Sequence, residues 1–281
     1  MSDDPSKTQD AVRIPELPSD RRIALAVTAI DQLARVTRPK FYGLENIPDK
    51  RVFFVGNHTI YGVLDVGFML AELWKTHGFA TRSLGDFKHW TIPVWSQFTT
   101  ATGGVPGSPE VAAELMRRGE PLLVFPGGAR EANKRRGEKY KLIWKQRLGF
   151  ARLAIEHDYP IIPFAGVGAE EMLDVVVDDK NPIHRAASRS VERVIGMPVP
   201  SIVRGIGPTP IPRPRRLYFW FGEPIDSGSF SGDAAGARAL RDTVKREVEG
   251  GIDFLLSERA AQRRSRRRRV AGLPRPSLLL R

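Results

Sequence analysis

Between residues 20 and 37, Ile23, Val27, Ile30 and Ala34 fall on one helical face with Ala26 and Leu33 beside them, while Arg21, Thr28, Gln32 and Arg35 gather on a narrower polar strip. That spacing predicts an N-terminal amphipathic helix, which Ser19 or Asp20 could cap. So wide an apolar face either packs against the domain or lies on a membrane. The period then changes. Residues 52–55 are a short apolar run of strand type, followed by the polar turn Gly56-Asn57-His58, and helical spacing returns over 66–77. Residues 103–107 read as a Gly/Pro turn, after which Ser108, Pro109 and Gly119 mark the N-cap, first residue and stop of another helix. A strand at 122–125 runs into Pro126-Gly127-Gly128; Trp144, Leu148, Ala151 and Ile155 recur at helical spacing ahead of a strand at 160–164. Residues 176–215, rich in Pro, Arg and Gly, read as an irregular excursion, 217–221 as a last strand, and Leu240, Val244, Val248, Ile252 and Leu255 as the stripe of a closing helix. Strands alternating with helices predict an α/β sheet covered on both faces.

Composition sharpens this. A chain of 281 residues, 41% hydrophobic, can bury one large core. The predicted organisation is a flexible lead-in over 1–18, one domain over 19–258 and a basic, disordered tail over 259–281. With no cysteine, disulfides, thiolate catalysis and cysteine–zinc sites are excluded. The opening MSDDPSKTQD is polar, unlike a basic-then-apolar leader, and no apolar run approaches the roughly 20 residues that span a bilayer. The net charge of +12 is uneven: residues 259–281 hold nine arginines and no acid, leaving +3 for the rest. Such a run is either a solvated end or a contact for anionic lipid, where each basic residue adds about 1 kcal/mol. Nucleic acid is not an expected partner, because the body carries no matching basic stripe.

Ligands of open α/β sheets sit at polar turns where strands end. Two turns qualify. In the first, His58 could act as a general base, with Asp65 fixing its tautomer; the alternative is a plain turn or cap residue. In the second, Phe125-Pro126-Gly127-Gly128-Ala129-Arg130-Glu131, two glycines let the backbone approach a ligand and Arg130 offers a forked donor; the alternative is an ordinary strand–helix turn with a surface ion pair. Neither GxGxxG nor a Walker loop is present, which removes the dinucleotide and nucleoside-triphosphate readings, and the other histidines have no ligand-like spacing to acids, so no metal site is expected.

Five blocks in order resemble the glycerolipid acyltransferase superfamily, which contains bacterial lysophosphatidate acyltransferase: FFVGNHTIYGVLD (53–65), GGVPGS (103–108), VFPGGAREA (124–132), YPIIPF (159–164) and YFWFGEPI (218–225). The resemblance covers roughly 38–225 and is nearest the branch of diacylglycerol acyltransferase type 2. It implies a mixed, largely parallel sheet with helices on both faces, and acyl transfer from acyl-CoA or acyl carrier protein to a lipid hydroxyl. No cofactor is implied beyond acyl-CoA as co-substrate. His58, oriented by Asp65, would take the acceptor's proton; Asn57, Gly127, Gly128, Arg130 and Glu131 would bind substrate, with backbone N–H groups near the glycine loop facing the oxyanion. The implied setting is peripheral, on the cytoplasmic face of an anionic membrane. Two departures matter. Gly127 replaces the glutamate of the lysophosphatidate enzymes' Pro-Glu-Gly-Thr-Arg, which favours an uncharged acceptor. Six residues, not the family's four, separate His58 from Asp65, and Gly62 is where a bulge would restore their reach. A lysophosphatidate-type acceptor, or a lipid-binding relative without catalysis, are the alternatives.

Overall fold

The computed structural model describes residues 14–48, 51–62, 64–86, 96, 99–100, 102–195 and 199–270. Nine strands occur among them: β1 Lys40–Tyr42, β2 Phe53–Gly56, β3 Arg82–Gly85, β4 Val105–Pro106, β5 Leu122–Val124, β6 Ile161–Val167, β7 Asp174–Val177, β8 Ile202–Arg204 and β9 Tyr218–Phe221. Seven form the central sheet in the order β1-β9-β6-β2-β5-β3-β4. All its neighbours are parallel except β6 and β9, so the sheet is mixed and largely parallel. The other two strands make a separate antiparallel pair.

The helices are α1 Asp20–Thr37, α2 Val66–His77, α3 Pro109–Arg117, α4 Gly128–Ala132, α5 Gly149–Glu156, α6 Pro182–Ile195 and α7 Ala234–Val270. Side-chain alternation along β2 explains the layering. Phe53 and Val55 pack into a core with Val111 and Leu115 of α3, Phe150 and Ala151 of α5, and Leu240 and Val244 of α7. Val52 and Phe54 point the other way, into a core with Phe68, Met69 and Leu73 of α2. Phe53 and Phe54 are fully buried, each contributing about 1.5–3 kcal/mol. Ser108 caps α3 by accepting from the Val111 N–H at 3.2 Å.

On α1, Ile23, Val27, Ile30 and Ala34 are the half-buried face, held to α2 by Ile30 against Gly67 and by the Lys75–Asp31 pair at 3.0 Å. A second apolar strip, Leu25, Leu33 and Val36, stays exposed. Among the described residues no helix is long and apolar enough to cross a membrane.

Three expectations change. The helix expected from Trp144 begins only at Gly149, because Tyr140 and Lys145 adopt left-handed backbone; Trp144 is buried from a turn instead. The excursion is not irregular throughout: Asn181 Oδ1 accepts from the N–H groups of Ile183 and His184 and Pro182 is the first residue of α6, so an ordinary helix start was written there. The domain boundary at 258 falls inside α7, so residues 259–270 are helical rather than an unstructured tail. Arg259 ties this stretch to the body through Glu171 at 2.5 Å and the Tyr140 hydroxyl at 3.2 Å. Residues 1–13 of the lead-in and 271–281 lie outside the described residues.

Candidate active site

β2 lies between β6 and β5 and runs parallel to both. Parallel neighbours release their loops at the same edge, so the turn after β2 and the loop after β5 emerge side by side, as sheets of this kind require. The His58 and Phe125 rings meet with centroids 4.5 Å apart.

Asn57 is buried and exchanges two hydrogen bonds with Gly166 of β6: its Nδ2 donates to the Gly166 carbonyl at 3.0 Å and its Oδ1 accepts from the Gly166 N–H at 2.7 Å. This fixes the chain entering His58. The turn then doubles back through Tyr61 and Gly62, at φ 59° and 64°. Gly62 is required twice over: its backbone is left-handed, and a Cβ there would stand 2.0 Å from His58 Cε1. The Cε1 edge of the imidazole therefore abuts the glycine.

His58 Nδ1 is 3.0 Å from the Thr59 carbonyl. A carbonyl can only accept, so this contact puts the proton on Nδ1 and leaves Nε2 as the basic nitrogen. Thr59 Oγ1 in turn donates to Asp65 Oδ1 at 2.8 Å, so Thr59 joins ring and carboxylate. Asp65 sits at the N-cap of α2, beside Gly166. Burial pushes its carboxyl up to about 6, against the lowering effect of the Thr59 bond.

Glu131 is fully buried behind the loop. Its Oε1 accepts from the His58 N–H at 2.7 Å and its Oε2 from the Ile143 N–H at 2.8 Å. The side chain folds over Gly127, where a Cβ would meet Oε2 at 2.1 Å. It thus holds three segments together under the histidine. Burial pushes its carboxyl up to about 7, with Lys134 and the two backbone donors pulling it down. Lys134 pairs with Glu170, both nearly inaccessible to solvent, and burial raises the Glu170 carboxyl too.

Gly128 is covered by Arg147, whose Nη1 donates to the Pro126 carbonyl at 2.8 Å. Arg130 faces Glu138, with Nη2 donating to Oε1 at 2.6 Å, and is partly exposed. The structure therefore brings Asn57, His58, Asp65, Gly127 and Glu131 into one cluster and sets Arg130 at its rim in an ion pair. Sequence reading missed Thr59, Phe125 as the ring partner of His58, and the Lys134–Glu170 pair. Thr59 adjoins the histidine and was open to inspection; Lys134 and Glu170 are 36 positions apart and carried no local signal. Among the described residues no group of three or more His, Asp or Glu is placed to hold a metal ion.

Residues 38–167 match the model of a family described as Acyltransferase. Phytyl ester synthase 2, chloroplastic, of Arabidopsis thaliana is 30% identical over 239 residues, 77% of this chain and 34% of that protein. The DGAT1/2-independent enzyme synthesizing storage lipids of Mus musculus is 32% identical over 122 residues, 43% of this chain and 36% of that protein. The chain thus spans about a third of the length of these curated relatives. Among solved structures, the crystal structure of the 1-acyl-sn-glycerophosphate acyltransferase PlsC of Thermotoga maritima is similar at a TM-score of 0.48 and 16% identity, covering 81% of this chain and 78% of that one.

Proposed function

Residues 38–167 of this chain belong to the acyltransferase family, and from that premise we propose that it transfers a fatty acyl group from a thioester donor to a lipid hydroxyl, with His58 as general base. The observation that carries the reading is the His58 contact: a ring whose Nδ1 is committed to a carbonyl presents Nε2 as a proton acceptor at a strand end.

The acceptor's hydroxyl gives its proton to Nε2 as its oxygen attacks the thioester carbon. A C–O bond forms, the C–S bond breaks, and the proton passes from the imidazolium to the departing thiolate. No protein nucleophile is needed, because the thioester is already activated. Asp65, reached through Thr59, supplies negative charge that favours the imidazolium as it forms. Glu131 and Asn57 act as positioning residues, since their polar atoms are taken up by backbone groups. The Gly128 N–H is taken by the Phe125 carbonyl at 2.9 Å, which leaves the Gly127 N–H as the loop's candidate donor to the oxyanion.

An uncharged acceptor hydroxyl, of an alcohol or a di- or monoacylglycerol, is the preferred reading. Gly127 stands where a glutamate marks phosphate-acceptor enzymes, and Arg130 is engaged by Glu138. The relatives named for phytyl esters and storage lipids point the same way. The lipid would be met at a membrane surface, with the exposed strip Leu25, Leu33 and Val36 of α1 facing it. A phosphorylated acceptor is the second reading, favoured by the cationic cavity described below.

The test is transfer of labelled acyl-CoA, and separately acyl carrier protein thioester, onto a panel of diacylglycerol, monoacylglycerol, long-chain alcohol and lysophosphatidate. His58→Ala should lose about 10²–10⁴-fold in turnover while its circular dichroism stays unchanged. More than a tenth of wild-type turnover in that variant would end the general-base role.

A further inference from the structure

A cavity of about 310 Å³ opens beside the His58 turn, between residues 134–139 and the β7–β8 pair. Ile60, two residues after His58, forms part of its wall, with Leu173, Val175 and Val176 as further apolar lining. Five cations line it: Lys134, Arg135, Arg136, Lys139 and Arg204. Three have acidic partners. Lys134 pairs with Glu170 at the buried side, Arg135 binds both oxygens of Asp179 at 2.6 and 2.8 Å, and Lys139 pairs with Asp174 at 3.1 Å.

Arg136 and Arg204 are different. Among the described residues neither guanidinium has a carboxylate or hydrogen-bond partner, although both border the same cavity. Asp174 lies directly across the β7–β8 register from Arg204, yet its carboxylate is occupied by Lys139 and by Arg213 at 2.8 Å. Two unpaired forks and a buried ammonium on one concave surface form a donor set suited to a dianion with several acceptor oxygens. A cavity of this size accommodates a headgroup or a nucleotide-like fragment.

We propose that this cavity binds a phosphate ester, clamped by Arg136 and Arg204 with Lys134 facing it from the buried side. Its apolar wall and its opening next to Ile60 suit a molecule with a phosphate at one end and the reacting group at the other. Two substrates have that form: a coenzyme A thioester donor, and a phosphorylated lipid acceptor. The link to catalysis rests on the acyl-transfer reading; binding itself does not.

Titration calorimetry on the full chain decides it, with coenzyme A against pantetheine and lysophosphatidate against monoacylglycerol as paired probes. Arg136→Ala/Arg204→Ala should weaken coenzyme A, lysophosphatidate or both by about 10–100-fold, leaving pantetheine and monoacylglycerol within twofold. Both arginines are exposed, so folding is not at risk. Loss confined to coenzyme A assigns the cavity to the donor, and loss confined to lysophosphatidate assigns it to the acceptor. Binding of both phosphorylated probes within twofold of wild type overturns the proposal. So does equal weakening by Arg152→Ala/Arg238→Ala, which removes two exposed charges elsewhere. His58→Ala should bind as wild type does. A wild-type chain that binds phosphate through the two arginines but transfers no acyl group would end the proposed function and leave this site standing.

Discussion

Glu131→Ala tests whether one buried carboxylate holds the histidine turn in place. The side chain satisfies two backbone N–H groups, of His58 and Ile143, and no solvent reaches it. Stranding each N–H costs about 1–3 kcal/mol, so the variant should lose roughly 3–5 kcal/mol of stability at pH 6. For a chain of this size that lowers Tm by roughly 10–15 °C. The loss should depend on pH in a defined direction. Burial raises the Glu131 carboxyl to about 7, so the native state keeps a proton that the unfolded chain has released, and the wild type forfeits that stability as pH rises through 7. The variant has no such proton. The gap between the two should therefore narrow by about 1 kcal/mol from pH 6 to pH 8. Glu131→Gln, which keeps one acceptor, should fall between them. Turnover measured well below Tm should drop at least about tenfold, because the freed His58 amide lets the ring leave its place on Gly62. Scanning calorimetry at the two pH values and a steady-state assay check all three outcomes. A Tm within 2 °C of wild type at pH 6 would show that the turn stands without the carboxylate; a gap that widens with pH would show that it acts as a fully ionised anchor.

The whole protein should show a related trend. Asp65, raised to about 6 by burial, and Glu131 each contribute about 3 kcal/mol that is present near pH 4 and lost by pH 7. Asp174 and Asp179, held low by Lys139 and Arg135, lose their contributions only below about pH 4. Tm should peak near pH 4 and fall toward pH 8, more gently in Asp65→Asn; a flat profile from 4 to 8 would contradict the burial argument. Gly62→Ala should lower turnover more than about 100-fold with a modest change in Tm, because the added methyl displaces the imidazole; near-wild-type activity would mean the ring position is not critical. Truncation after Gln262 removes eight arginines but keeps Arg259, and should weaken binding to anionic vesicles and its salt dependence at unchanged Tm, whereas truncation after Glu258 should also lower Tm. Equal vesicle binding with and without the tail would assign anchoring to α1.

Much of the sheet was legible because its central strands are buried on both faces and must be continuous apolar runs. Residues 52–55, 122–125, 160–164 and 217–221 all fall within a residue or two of β2, β5, β6 and β9, except that β6 continues to Val167. Short edge strands such as β1 and β4 are only 3 and 2 residues long and carry no comparable signal. α6 went unread for a different reason: the Pro and Arg around it suggested irregular chain, although Asn181-Pro182 is itself a helix start. The tail misled in the same way. Charge density says nothing against a helix, since arginine is a good helix former, and the contacts of Arg259 with Tyr140 and Glu171 and of Gln262 with Arg216 and Tyr218 show where the ordered stretch is secured.

At the site, sequence order supplied the residues but not their connections. Two extra residues between His58 and Asp65 look like a defect if the carboxylate must touch the ring. In the fold they make the turn through Tyr61 and Gly62, which sets the Cε1 edge of the imidazole against a glycine and points Nδ1 at the Thr59 carbonyl. That carbonyl also accepts the Gly62 N–H at 3.1 Å, so one oxygen closes the turn and sets the tautomer. The same threonine passes its hydroxyl to Asp65. On the general-base reading, the Thr59 carbonyl orients the ring and the buried Asp65, joined to it through the Thr59 hydroxyl, supplies the charge. The consequence is specific. Asp65→Asn should keep the ring oriented and lose only the charge support for the imidazolium, reducing turnover by about tenfold, whereas His58→Ala removes the proposed base. An Asp65→Asn variant as inactive as His58→Ala would mean that the carboxylate contacts the ring directly during turnover.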